Sequence, residues 1–202
     1  TYLERDVRKL INIKDTRTFE IFLGIIAGRS GQLSNTENIA NECGVTHNTV
    51  KSWLSILEAS YIIKLVQPYH NNLNKRLIKT PKIFFLDTGL LCFLLGIYSA
   101  DQIQTHPLRG SLFETFVYTE LYKTVAHKNL PFQIFFYRDY QGHEVDFIIE
   151  TGSYVRLIEA KASATFNSDQ LKGIRYASKL FSTQKVASYV IYAGQDSFDY
   201  QG

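Results

Sequence analysis

The sequence predicts an α+β protein in two parts, a mainly helical half followed by an α/β half, and three observations carry that prediction. Residues 36–59 repeat apolar side chains at helical spacing on either side of Gly44. Residues 144–161, EVDFIIETGSYVRLIEAK, hold two apolar alternating runs about a tight-turn glycine. Between the halves lies a polar stretch ending in proline, YSADQIQTHP, residues 98–107. The expected domains are therefore residues 1–100 and residues 101–202.

Composition bounds what the protein can be. With 202 residues, 45% hydrophobic and 20% charged, the chain can build one large or two small cores. Cys43 and Cys92 lie far apart without ligand-like spacing, which signals neither a disulfide framework nor a zinc site. The longest apolar run, Leu86 to Ile97, is broken by Asp87 and Gly89 and is too short to span a bilayer. No stretch at the start resembles a signal peptide, so a cytoplasmic location without a membrane partner is expected. Methionine is absent, so Thr1 is not a translation start and the chain is expected to be part of a longer polypeptide.

In the first half, the stretch LERDVRKL is expected to be a linker helix. Asn35 or Thr36 can cap a helix running to about Cys43, and Gly44 supplies a turn in which a left-handed backbone is cheap. Thr46 can cap a second helix to about Ala59, with Val50, Trp53, Leu54 and Leu57 on one stripe. Ala40, Gly44, Val45, Val50 and Trp53 have a spacing similar to DNA-binding helix-turn-helix units. That leaves Thr46, His47, Asn48, Lys51 and Ser52 as the exposed face. The runs YIIKLVQPY and KIFFLD can pair as the strands of a wing, joined by a loop over residues 70–81.

Charge is uneven along the chain. Residues 1–100 hold 12 basic against 8 acidic side chains, and residues 101–202 hold 10 against 11. No acidic residue falls between Glu58 and Asp87, where Lys64, Lys75, Arg76, Lys79 and Lys82 lie. Such a stretch is commonly just a solvated surface, and a winged helix can also serve as a protein-interaction module. The polar helix face beside the basic loop turns the reading toward DNA, with Thr46, His47, Asn48, Lys51, Lys75, Arg76 and Lys79 as candidate contacts.

In the second half, a two-residue turn at Gly152-Ser153 sets the register of the hairpin. Asp146 then lies directly opposite Glu159, and Glu144 opposite Lys161, all on one face with Ile148 and Leu157. Val145, Phe147, Ile158 and Ala160 take the other face. Facing carboxylates repel, and a divalent cation between them would remove the repulsion. The plainer alternative pairs Glu144 with Lys161 and leaves Asp146 solvated.

Asp146 followed by Glu159-Ala160-Lys161 across a short apolar hairpin resembles the PD-(D/E)XK nuclease signature, with Val145 standing where the motif has proline. In that family an acidic residue on a preceding helix completes the site. Here RGSLFETFVYTELYKTV is such a helix, with Glu114 toward the site and Phe113, Phe116, Val117 and Leu121 on its buried face. The order of LERDVRKL, the helix-turn-helix, FFLDTGLLCFLLG, GSLFETFVYTEL, YRDYQGHEVDFIIE and LIEAKAS is similar to a family in which an AAA+ ATPase module precedes a winged helix and a nuclease-like domain of unassigned function. No G-x-x-x-x-G-K-[ST] phosphate loop is present, so no nucleotide site is expected in this chain.

The resemblance implies a restriction-endonuclease-like second domain, with a mixed sheet flanked by helices, and a Mg²⁺-dependent phosphodiester hydrolase. Asp146, Glu159 and Glu114, with the Ala160 carbonyl, would hold the metal, and Lys161 would orient the attacking water. His143 reads instead as a hydrogen-bonded turn residue, and Gln170 and Tyr176 as surface and packing residues. The implied partners are DNA and the ATPase module of the same polypeptide, with oligomers possible. Two alternatives stand beside this reading. One is a catalytically silent nuclease-like module that binds DNA or regulates the ATPase. The other is a protein-interaction arm.

Overall fold

The computed structural model describes residues 16–69, 78–181 and 184–200. The expected linker helix at LERDVRKL lies outside the described residues, as do Lys75 and Arg76. The described residues form two compact units. The first takes residues 16–68 and 79–123; the second takes Tyr69, Ile78 and the described residues from 124 onward.

The first unit opens with three helices: α1 (Thr16–Ala27), α2 (Thr36–Cys43) and α3 (His47–Ala59). Helix α2 starts where Asn35 Oδ1 accepts the Asn38 N–H at 3.1 Å, and α3 where Thr46 Oγ1 accepts the Thr49 N–H at 3.2 Å. Each cap contributes about 1 kcal/mol by satisfying an otherwise orphaned donor. Gly44 between them has φ 69°, the left-handed conformation expected of a turn glycine. Val50, Trp53, Leu54 and Leu57 are buried, and the Trp53 ring packs on Phe19 and Phe22 of α1 with centroids 5.3 and 5.0 Å away.

A short antiparallel pair follows, β1 (Ile63–Val66) and β2 (Lys82–Phe85), with Ile63 facing Phe85 and Val66 facing Lys82. Two short helices, α4 (Thr88–Leu94) and α5 (Ala100–Thr105), lead to the long α6 (Arg109–His127). Residues 101–123 belong to the first unit, whereas the sequence places them in the second domain. The buried face of α6 also differs from expectation. Leu112, Thr115, Val117, Tyr118 and Thr119 are buried, and Phe116 is 49% exposed. Thr115 and Thr119 can be buried because their hydroxyls donate to the carbonyls of Ser111 and Thr115, each at 2.7 Å. A pattern read from apolar residues alone assigns that face to the phenylalanines.

The second unit is a mixed four-stranded sheet in the order β3-β4-β5-β6: β3 (Ile134–Arg138), β4 (Glu144–Thr151), β5 (Tyr154–Lys161) and β6 (Lys185–Tyr192). The first three strands are antiparallel neighbours, and β6 runs parallel to β5. Between β5 and β6 a 3₁₀ turn (Ser168–Leu171) leads into α7 (Lys172–Ser178), which crosses β4 and β5. Ile174, Ala177 and Phe181 close a core with Tyr137, Val145, Ile148, Val155 and Leu157. Tyr69 joins this core, donating its N–H to Phe136 O at 2.7 Å and its hydroxyl to Glu150 at 2.9 Å. The approach of α7 to β4 is close enough that only glycine fits at Gly173, where a Cβ would stand 2.0 Å from the Glu144 carbonyl oxygen.

Candidate metal site at the end of the β4–β5 hairpin

The hairpin forms with the expected turn: Gly152 has φ 61°, Thr151 faces Tyr154, and the register continues through Phe147 facing Ile158. It stops one step before Asp146. On the other side of β4 the register shifts between Phe135 and Tyr137, so that Asp146 and Phe147 together stand opposite the single Phe136. This is a β-bulge, and it re-aims the residues around it. The direct opposition expected of Asp146 and Glu159 is replaced by a side-chain-to-backbone contact, in which Ala160 donates its N–H to Asp146 Oδ2 at 2.8 Å. Val145 is likewise turned into the core with Ile148 and Leu157 rather than to the opposite face.

Asp146 and Glu159 are each 7% exposed. Glu159 Oε1 accepts from Lys161 Nζ at 2.6 Å, while its Oε2 is buried without a hydrogen-bond partner. Burial, the neighbouring Asp146 carboxylate and Glu144 push the Glu159 carboxyl up to about 7, against the opposing pull of Lys161. Glu144 pairs with Arg138 at 3.5 Å. A residue's N–H and C=O point to the same side of a strand, so the Ala160 carbonyl faces β4 together with the N–H that Asp146 accepts. The site thus offers hard oxygen donors, one of them buried and lacking a hydrogen-bond donor, which fits Mg²⁺ held by two carboxylates and completed by water. Among the described residues no group of three or more His, Cys, Asp or Glu side chains is arranged to hold a metal.

Glu114 has an ionic partner within the first unit. Its carboxylate pairs with Lys82 Nζ at 2.8 Å within the first unit, and Lys82 is only 2% exposed. Gly31, at φ 79°, lies against the same carboxylate. Nothing in the local sequence marks Lys82 as this partner, because the pair joins residues 32 apart.

The turn before β4 is ordered by Asp139, which accepts the N–H groups of Gln141 and His143 at 2.9 and 3.0 Å and faces His143 Nδ1 at 3.0 Å. Burial raises the Asp139 carboxyl, but these hydrogen bonds outweigh it and leave it below the ordinary range. The His143 ring stacks on Tyr176 with centroids 3.5 Å apart. Gln170 donates to Ser163 Oγ at 2.9 Å, and its Oε1 is buried without a partner.

In the first unit, Thr46 commits its hydroxyl to the α3 cap, and His47, Asn48, Lys51 and Ser52 are exposed beside it. Lys51 also borders an open cleft of about 560 Å³ with Asn35, Ser55, Thr80 and Pro81. Lys79 is described, just ahead of β2.

Comparison with known proteins finds a family match in each half of the sequence. Residues 1–101 match the family described as domain of unknown function DUF8612, half of the chain. The chain belongs to that family. Residues 109–202 match a second domain of unknown function, DUF4143. Uncharacterized proteins of Mycobacterium bovis and Mycobacterium tuberculosis are each 27% identical over 198 residues, covering 98% of this chain. The chain spans 43% of the length of those relatives. No solved structure matches it.

Proposed function

We propose that the chain is a DNA-binding, Mg²⁺-dependent phosphodiester hydrolase region, and the observation that carries this reading is the buried Asp146–Glu159 pair with its unpartnered Glu159 Oε2. Two neighbouring buried carboxylates need a proton or a cation, and the hairpin order Asp, turn, Glu-Ala-Lys supports the nuclease resemblance. Asp146 and Glu159 would hold the ion, with the Ala160 carbonyl beside them. Mg²⁺ at this position supplies charge against the scissile phosphate and acidifies a bound water. Lys161, bonded to Glu159 Oε1 and with its own side chain 35% exposed, would orient the water from the solvent side. Glu114 drops out of the ligand set in this reading, since Lys82 already compensates it. The exposed face of α3 and the basic loop before β2 would supply phosphate contacts in the manner of a winged helix. Association with an AAA+ ATPase module in a longer polypeptide is part of the same proposal, because DUF4143 domains occur in C-terminal regions associated with such ATPases.

One observation favours a second reading. Lys161 already sits 2.6 Å from Glu159, so the pocket carries part of its countercharge without a metal. A catalytically silent module that binds DNA or regulates an ATPase would look the same in this respect. Thermal melting with and without Mg²⁺ separates the two. The hydrolase reading expects Mg²⁺ to stabilise the wild type and to have no effect on Asp146→Asn. It also expects Lys161→Ala to keep the stabilisation while losing cleavage of duplex or single-stranded DNA. A wild type indifferent to Mg²⁺ together with a destabilised Asp146→Asn would make the carboxylate structural. For the DNA face, replacing Lys75, Arg76 and Lys79 by Ala should weaken binding. It should also flatten the salt dependence, by about one unit of slope for each phosphate no longer neutralised. Unchanged affinity and slope would exclude the loop from the interface.

A further inference from the structure

Strand β6 ends the second unit's sheet, and its outer edge has no neighbour among the described residues. The alternation of its backbone can be read from its ends. Lys185 donates its N–H to Ser153 O and Ala193 donates to Lys161 O, both toward β5. With the two-residue period of a parallel ladder, Val186, Ser188, Val190 and Tyr192 therefore aim their N–H and C=O groups away from the sheet. The segment from Asp196 to Tyr200 folds back nearby, with Tyr192 Oη donating to Asp196 O at 2.7 Å and Phe198 against Phe166. It adds no ladder to β6.

This edge lacks the devices that usually block strand addition. Residues 186–192, VASYVIY, contain no charge, proline or glycine and are rich in β-branched and aromatic side chains. Tyr189 is 48% and Ile191 37% exposed along it. Its two ends differ in sign: Lys185 stands at the start, over the Tyr154 ring at 5.3 Å, and Asp196 and Asp199 follow the far end.

We propose that β6 is a homodimer edge, across which two copies of this chain pair antiparallel and join their sheets into one. Three features select a second copy. Even-numbered residues carry all the outward groups, so a two-fold axis at Tyr189 pairs Ser188 with Val190 and Val186 with Tyr192, satisfying those groups reciprocally. The same axis sets Tyr189 opposite its own counterpart, an aromatic cross-strand pair, and the large Ile191 opposite the small Ala187. Antiparallel pairing also brings the Lys185 end of each copy toward the partner's Asp196 and Asp199, which parallel pairing would not do. A polyanionic nucleic acid gains nothing from those carboxylates. The dimer edge is independent of the hydrolase reading, since it uses neither Asp146 nor Glu159.

Sedimentation equilibrium on the whole 202-residue chain tests it. A monomer–dimer equilibrium is expected. Ser188→Pro removes only an outward N–H and leaves the bonds to β5 intact, so it should raise the dimer dissociation constant at least about tenfold without changing the monomer's circular dichroism. Lys185→Asp should weaken the dimer, as should Asp196→Lys with Asp199→Lys, and all three together should restore it. The charge exchange decides the matter if Ser188→Pro fails to fold. A chain that stays monomeric up to its solubility limit, with the edge left for a foreign peptide or nucleic acid, overturns the proposal. A dimer indifferent to Ser188→Pro and to the charge exchange also overturns it.

Discussion

Glu159 is where the chemistry of single residues is most exposed to measurement. Its folded-state value of about 7 lies above the ordinary 4.5, first because burial disfavours the charge and second because Asp146 is near. The folded protein therefore binds this proton more tightly than the unfolded chain does. Without metal, stability should fall as pH rises from 4.5 through 7, and the loss should be complete above that range. Glu159→Gln should flatten this dependence and leave the metal-free protein more stable than wild type at alkaline pH. Urea unfolding across the range, with metal chelated, measures it. A wild type whose stability rises over the same window would show that Glu159 is ionised and satisfied. At this scale the nearness of Asp146 to the Glu159–Lys161 stretch is legible in the sequence, because residue types and hairpin spacing are local facts. The pairing of Glu114 with Lys82 is not legible there, since the ammonium comes from a different element.

Among the elements, α7 approaches β4 closely. Gly173 in the first turn of α7 has no room for a methyl group, which would meet the Glu144 carbonyl oxygen at 2.0 Å. Gly173→Ala must push the helix off the strand and should cost about 3 kcal/mol or more, despite alanine's better helix propensity. Thermal melting of that single variant checks it, and an unchanged or raised melting temperature would mean the helix can shift freely. The caps of α2 and α3 and the glycine between them were legible because capping is a matter of neighbouring residues. The β4–β5 register was legible through Phe147 for the same reason. The bulge at Asp146 was not, because it is a mismatch with β3, and one strand's alternation carries no information about a partner's length. The buried face of α6 was hidden by threonines that bond their own helix's carbonyls.

For the whole molecule, the family matches change between residues 101 and 109, while the compact units change between residues 123 and 124. The first unit is thus incomplete at residue 100. A fragment ending there keeps Lys82 but lacks Glu114, and breaking a buried ion pair costs about 3–5 kcal/mol. It also lacks the Thr115 hydroxyl that meets Ser30 Oγ at 2.8 Å. Against a typical domain stability of about 5–15 kcal/mol, such deficits matter. The fragment 1–100 should melt without a cooperative transition, and a fragment 1–127 should melt cooperatively. Equal cooperativity in the two would show that the helix from Arg109 adds nothing to the first unit.

The pair of Lys82 and Glu114 also bears on how such a chain can be inherited. The two residues fall in different family matches, one within residues 1–101 and the other within residues 109–202. A recombination joint placed in the polar stretch between them would look harmless in the sequence. It would nevertheless hand each descendant one half of a buried ion pair, an ammonium in one gene and a carboxylate in another. Exchange at that joint is viable only where the incoming half brings a matching charge. The two matches are therefore expected to travel together, and the mycobacterial relatives align with this chain across 98% of its length.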